Sequence, residues 1–352
     1  MKEDSIIFDF ANNHKKEWDG IFRATELSAK NKVEIVKTFG STKIFNSESD
    51  LVVFGSIARN ECTQSSDVDW TLLVDGQANP NHLSLAQLIE ENINSTGLTE
   101  PGSSGMFGQI SFSHDLINYI GGQDDTNHNL TRRILLLLES EKIILNDDKS
   151  SFGTAHERVI RGIIQQYIDN DSGYNASTGK ENVPRFLLND LIRFWRTMCV
   201  DFAYKQREQK GKKWALRNIK LRMSRRLIFV KGLLLCHKFY LRNELSKDDI
   251  KSELHKFVAQ KPLEFMVSSF LENNIPEVHI VSILDSYNNY LEMLNDKGIR
   301  DHLTNLDMSS VYSDEIFESA RANSHLFQNA LTSIFITEKS SISDFTLKYG
   351  VF

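Results

Sequence analysis

The stretch from Leu51 to Asp75, LVVFGSIARNECTQSSDVDWTLLVD, constrains this chain more than any other. An apolar run from Leu51 to Phe54 ends in Gly55 and Ser56, a polar loop follows, and a second apolar run begins at Val68. That order predicts strand, turn, loop and strand. Asp67 and Asp69 stand at the second entry with Val68 between them. Residues two apart on a strand point to the same side, so both carboxylates project together beside the Gly55-Ser56 turn. Like charges this close disfavour joint ionisation, and a divalent cation is the usual remedy. Mg²⁺, or Mn²⁺ in its place, takes one or two carboxylates and completes its shell with water and substrate phosphates. Gly55 lets the backbone approach a phosphate, and the amide and hydroxyl of Ser56 can donate to it. The pattern predicts a metal-dependent site for a nucleoside triphosphate. The alternative is an ordinary Ser- and Asp-rich surface loop between two strands.

Gly55-Ser56, Arg59 and the Asp67-Val68-Asp69 triplet resemble the signature of the DNA polymerase beta nucleotidyltransferase superfamily, and the spacing from Ser56 to Asp67 is normal for it. The resemblance covers about the first 150 residues. Around residues 121–139 it is closest to predicted bacterial nucleotidyltransferases related to the regulatory uridylyltransferases. It implies an α+β fold: a small mixed-sheet catalytic domain with flanking helices over residues 1–150, then an all-helical domain over 151–352 that closes the nucleotide cleft. It also implies transfer of NMP or dNMP from a nucleoside triphosphate to a hydroxyl acceptor. Asp67 and Asp69 would be the catalytic metal ligands, and Gly55, Ser56 and Arg59 would contact the nucleotide.

The superfamily often places a third acid on a following strand, where it helps activate the attacking hydroxyl. The strand expected at Phe107–Phe112 carries none. Asp115 lies just past it and is the candidate third catalytic acid; Asp124 and Asp125 follow, and His114 is an alternative base. The polar loop after Gly121 feeds an apolar helix whose first turn holds Arg132 and Arg133. Arg132 is a candidate phosphate contact, although two arginines near Glu139 and Glu141 also fit a salted helix surface.

Other regions organise the chain without naming a chemistry. Helical periodicity over residues 4–38 predicts one or two helices packed on the sheet. The polar cluster 146–154 predicts the domain boundary, and the second half reads as helical throughout. Between Lys205 and Arg226 there are ten Lys or Arg against one Glu, in a chain of net charge −6. Trp214, Leu216, Ile219, Leu221 and Met223 are interspersed, so one side of that helix is expected to be buried. Arg217 and Lys220 are candidate nucleotide contacts with Arg222 and Arg225 beside them, or else this is a solvated face. Tyr287 and Tyr290 read as core aromatics.

Cys62, Cys199 and Cys236 are far apart and suggest neither a disulfide framework nor a zinc site. No stretch approaches the roughly 18 apolar residues of a membrane span, so a cytoplasmic protein without a membrane partner is expected. The acceptor stays open among three readings. The product could be a nucleotide or oligonucleotide signal, as in resembling members of bacterial anti-phage defence that act with an effector protein. The acceptor could be a protein or a tRNA, as in regulatory or toxin-like members. The third reading is a non-catalytic nucleotide-sensing module.

Overall fold

The computed structural model describes residues 5–40, 46–101, 106–143, 153–171, 182–208, 211–242 and 244–350. Its architecture is α+β, with many helices and one four-stranded mixed sheet. The strands are β1 (Ser49–Phe54), β2 (Asp69–Val74), β3 (Gln109–Phe112) and β4 (Glu141–Lys142), in the order β3-β2-β1-β4. β1 pairs antiparallel with β2 and β4, while β2 and β3 are parallel. A parallel pair needs a long crossover, and the helix Asn81–Ser95 lies in it.

Nearly every residue of β1 and β2 is buried, which matches their unbroken apolar sequences and a sheet covered on both faces. Leu51, Val53, Trp70, Leu72 and Val74 form one core with Ile35 and Phe39 of the helix Asp19–Phe39 and with Ile89 and Ile93 of the crossover helix. The helices Asn127–Glu139 and Ala155–Asp169 pack against β1 as well.

The described chain forms two compact units. One comprises Thr25–Gly179 with Glu244–Lys261 and contains the whole sheet; the other comprises Met1–Ala24, Lys180–Asn243 and Pro262–Phe352. The cut expected near residue 150 therefore falls inside the sheet unit. The helix Ala155–Asp169 packs on β1 and β2 and buries Val159, Ile160, Ile163, Ile164, Tyr167 and Ile168, and the helix Lys247–Val258 packs on it in turn. Most of the polar cluster 146–154 lies outside the described residues.

In the helical unit, the helix Ile6–His14 packs on Pro262–Glu272 rather than on the sheet; it presents Ile7, Phe10 and Ala11, and Ser5 donates to Glu264 at 2.5 Å. Tyr287 and Tyr290 are buried, edge to face, with centroids 5.4 Å apart. The C-terminal stretch forms the helix Ser341–Phe345, which buries Ile342 and Phe345. Among the described residues, no helix is long and apolar enough to cross a membrane.

Candidate functional site

The site is built where β1 stops and β2 starts. Antiparallel register places Phe54 opposite Asp69. The chain leaves Phe54 through Gly55, whose φ of +66° lies in the left-handed region, and forms the short helix Gly55–Arg59. A side chain at 55 would collide with Asp69: an added Cβ would stand 2.8 Å from Oδ2. Glycine is thus required here for backbone conformation and for the close approach of turn to carboxylate.

Asp67 and Asp69 are both partly exposed, while Val68 and Trp70 between and after them are buried. This is the alternation expected of two carboxylates on the open side of a strand. The segment before β2 is held too: Asp67 forms a parallel bridge with Thr99, and the amide of Val68 donates to the Thr99 carbonyl at 2.9 Å. The pair is therefore fixed on both sides, by β1 and by the chain at Thr99.

Ser56 is partly exposed at the same turn, and its hydroxyl lies within hydrogen-bonding reach of the Cys62 thiol. Burial pushes that thiol above its usual range, against hydrogen bonds from Ser28, Ser56 and Asn31. Arg59 points away from the open side. Its guanidinium is buried, donates from Nε to Glu61 at 2.8 Å and pairs through Nη1 with Glu139. The structure makes Arg59 an anchor of the turn, where the resemblance implied a nucleotide contact.

The end of the short helix is tied down by residues far away in sequence. Asn60 closes it in the left-handed conformation and accepts from Lys32 Nζ at 3.0 Å, while Lys261 Nζ donates to the Ala58 carbonyl at 2.6 Å. Both lysines converge on Glu141 of β4. Burial raises the Glu141 carboxyl, but Lys261 and Lys32 more than reverse this and hold it below the usual range. Lys32, Lys261 and Glu141 carried no local sequence signal, because their meeting depends on the packing of separated segments.

The expected third acid is not brought to the pair. Asp115 is exposed in the first turn of the helix Ser113–Asn118, which follows the end of β3 paired with Val74, five residues along β2 from Asp69. Among the described residues, no three His, Cys, Asp or Glu side chains form a group able to hold a metal. The register places Gln109 opposite Thr71, the next β2 position on the same side as Asp69, so a neutral amide occupies that face of β3.

Asp115 faces the charge of Arg132 instead. Burial draws the Arg132 guanidinium below its ordinary value, with Asp115 opposing; Nη2 donates to the Met106 carbonyl at 3.3 Å, and Nε is enclosed without an acceptor. His114 is exposed and hydrogen-bonded to Asn118. Asp125 is a structural residue, since both its oxygens accept from Arg133 at 2.9 Å, with the two side chains fully buried.

Gly55, Ser56, Asp67 and Asp69 are thus assembled at one end of β1 and β2. Arg217 and Lys220 lie in the helical unit, on the helix Trp214–Lys220, both partly exposed. The buried side expected of that helix is present in Trp214, Leu216, Ile219 and Met223.

The four sheet-unit residues suit a divalent cation. Two fixed, partly exposed carboxylates could supply part of an octahedral shell, and the glycine of the adjoining turn brings the backbone close against one of them. Searches against protein-family models and against curated proteins give no match to this chain.

Proposed function

We propose that the sheet unit is the catalytic part of a metal-dependent nucleotidyltransferase acting on a nucleoside triphosphate in the cytoplasm. The observation that carries this reading is the approach of the Gly55 turn to the Asp69 carboxylate, where an added Cβ would lie 2.8 Å from Oδ2. A turn that requires glycine, opens on Ser56 and abuts two carboxylates on one strand side is suited to hold phosphates against a cation. The resemblance of GS, Arg59 and DVD to the polymerase beta superfamily supports the same reading.

In this proposal, Asp67 and Asp69 hold Mg²⁺ or Mn²⁺. The cation supplies charge neutralisation at the phosphates and orientation of the donor for in-line displacement. Gly55 keeps the backbone low enough for the phosphates to sit over the turn, and the Ser56 amide and hydroxyl donate to their oxygens. Arg59, locked to Glu61 and Glu139, keeps the turn in place while the substrate is bound. An acceptor hydroxyl would attack the α-phosphorus, forming a new phosphoester as pyrophosphate leaves.

The neutral Gln109 on the β3 face favours a second reading, in which the same residues bind a nucleotide without transferring it. One experiment separates the two. The purified chain is incubated with each labelled NTP and dNTP, Mg²⁺ or Mn²⁺, and candidate acceptors. Pyrophosphate release that is lost in Asp67→Asn and Asp69→Asn supports transfer. Label in soluble oligonucleotides indicates signal synthesis read by an effector, and label on protein or tRNA indicates tagging. Tight nucleotide binding with no pyrophosphate release supports the sensing module, and release that persists in both variants overturns the assignment of the carboxylates.

A further inference from the structure

The helical unit carries a cluster of arginines with an unusual charge balance. Arg222 and Arg226 stand one helical turn apart where the helix Trp214–Lys220 passes through a π-helical turn, Leu221–Arg225, into the helix Arg226–His237. Such π-turns interrupt the regular backbone ladder and recur at functional positions. The helix Arg185–Glu208, which carries Arg196, packs on Arg226–His237; Glu315–Thr332, which carries Arg321, packs on the π-turn.

The charges facing these groups are mostly of their own sign. Burial draws Arg222 below its ordinary value, and Arg321 pushes the same way, opposed only by the Tyr312 hydroxyl. Arg226 is drawn down to about 10, first by burial and then by Arg222, opposed only by the Cys199 thiol. Arg196 and Arg226 both act on Cys199. Arg222 donates from Nε to Asn218 Oδ1 at 2.7 Å, which fixes the guanidinium and leaves its two terminal nitrogens. Nη1 of Arg226 is enclosed without an acceptor. Among the described residues, neither side chain has a carboxylate within ion-pairing distance; Arg321 pairs with Glu318 at 3.0 Å.

Desolvating two guanidiniums beside further arginines without a counter-charge is unfavourable, unless an anion completes the site. Arginine's planar fork matches the tetrahedral oxygens of phosphate. We infer that Arg222 and Arg226, with Arg196 and Arg321 at the margin, form a phosphate-binding site in the helical unit. The ligand is a phosphate group, carried either by a small molecule or by a nucleic-acid strand. This inference does not rest on the transferase reading, which uses residues of the sheet unit.

The test uses the full chain and three probes at matched ionic strength: inorganic phosphate, ATP without divalent metal, and a short single-stranded RNA. Binding is followed by calorimetry and by the unfolding midpoint. The expected result is selective binding of at least one probe over chloride, weakened tenfold or more in Arg222→Gln and Arg226→Gln and unchanged in Lys37→Gln, which removes an exposed cation of the sheet unit. Affinity for RNA well above that for phosphate and ATP assigns the site to a polynucleotide; comparable affinities assign it to a small phosphate ligand. Both variants should keep or raise the unfolding midpoint without ligand, because each removes an uncompensated charge. No probe preferred over chloride, equal binding by wild type and both variants, or a lowered midpoint in both variants would each overturn the inference.

Discussion

Three guanidiniums of the sheet unit and two of the helical unit are treated in opposite ways, with the sheet unit's Arg132 on the unmatched side. In the sheet unit Arg59 meets Glu61 and Glu139, Arg133 meets both oxygens of Asp125 and the Tyr167 hydroxyl, and Arg158 meets Asp75. These are internal tie-bars: Arg133 joins the middle of the helix Asn127–Glu139 to the loop before it, and Arg59 fixes the turn beside the carboxylates. In the helical unit Arg222 and Arg226 have been taken partly out of water within reach of the charge of other arginines. A guanidinium matched inside the fold has its chemistry already used, whereas one left unmatched keeps its donors for something outside the chain. Arg59 shows that motif membership does not decide which kind an arginine is, and its partners do.

The largest effects should fall on Asp67 and Asp69. If they serve the donor phosphates, Asp67→Asn or Asp69→Asn should lower turnover by on the order of 10⁴-fold, about 5.5 kcal/mol of transition-state stabilisation, with the unfolding midpoint unchanged. A midpoint that drops along with turnover would place these acids with the structural pairs. The reverse signature is expected at Arg133. Arg133→Gln leaves Asp125 as a buried carboxylate without its partner and should cost about 4 kcal/mol in denaturant unfolding. Set against the unchanged or raised midpoint expected for Arg226→Gln, that loss would draw the line between the units directly.

Much of the fold and half of the site were legible in the sequence because they are local. Strand burial follows from the apolar runs around Gly55, the shared side of Asp67 and Asp69 from strand periodicity, and the buried stripe of Trp214–Met223 from helical spacing. What was not legible depends on contacts between distant segments. That Arg59 turns inward is decided by Glu139, eighty residues on, and that Asp115 misses the carboxylate pair is decided by the register of β3. The first helix, predicted to lie on the sheet, has an apolar face that suits several surfaces; its capping Ser5 and the helix Pro262–Glu272 select one. The interplay of Arg222 with Arg321 likewise needs a helix almost a hundred residues later.

Each unit also holds a histidine kept in its neutral form, so acid should strain both. His156 is lowered to about 4, chiefly by burial, with Ser140 at 2.8 Å from Nε2; His237 is lowered to about 4 for the same first reason, helped by Lys238. The unfolded chain binds protons at these positions from the ordinary histidine value near 6.5 downward, while the folded chain resists until about 4. Stability is therefore full above pH 6.5 and falls as the pH drops toward 4, by roughly 2 kcal/mol per histidine over the first one and a half units. His156→Gln and His237→Gln should each remove about half of that slope in unfolding measured between pH 7 and 5. A slope unchanged in one variant would show that its unit does not carry the acid sensitivity.

The smallest stability change, and the sharpest probe of the turn, is expected from Gly55→Ala. Left-handed backbone costs an L-residue about 1 kcal/mol, and the new methyl group would meet Asp69 Oδ2 at 2.8 Å. The carboxylate is the end of a side chain and can rotate away, so relief is cheap for the fold and harmful to the geometry of the pair. The expected outcome is a loss of roughly 1 kcal/mol in unfolding free energy together with a drop of about tenfold in turnover and weaker apparent Mg²⁺ dependence. Asp69→Asn combined with Gly55→Ala separates the two contributions. If the glycine acts through Asp69, the double variant should be no less active than Asp69→Asn alone while still showing the backbone cost in unfolding; additive losses in turnover would mean that the turn serves the phosphates independently of the carboxylate.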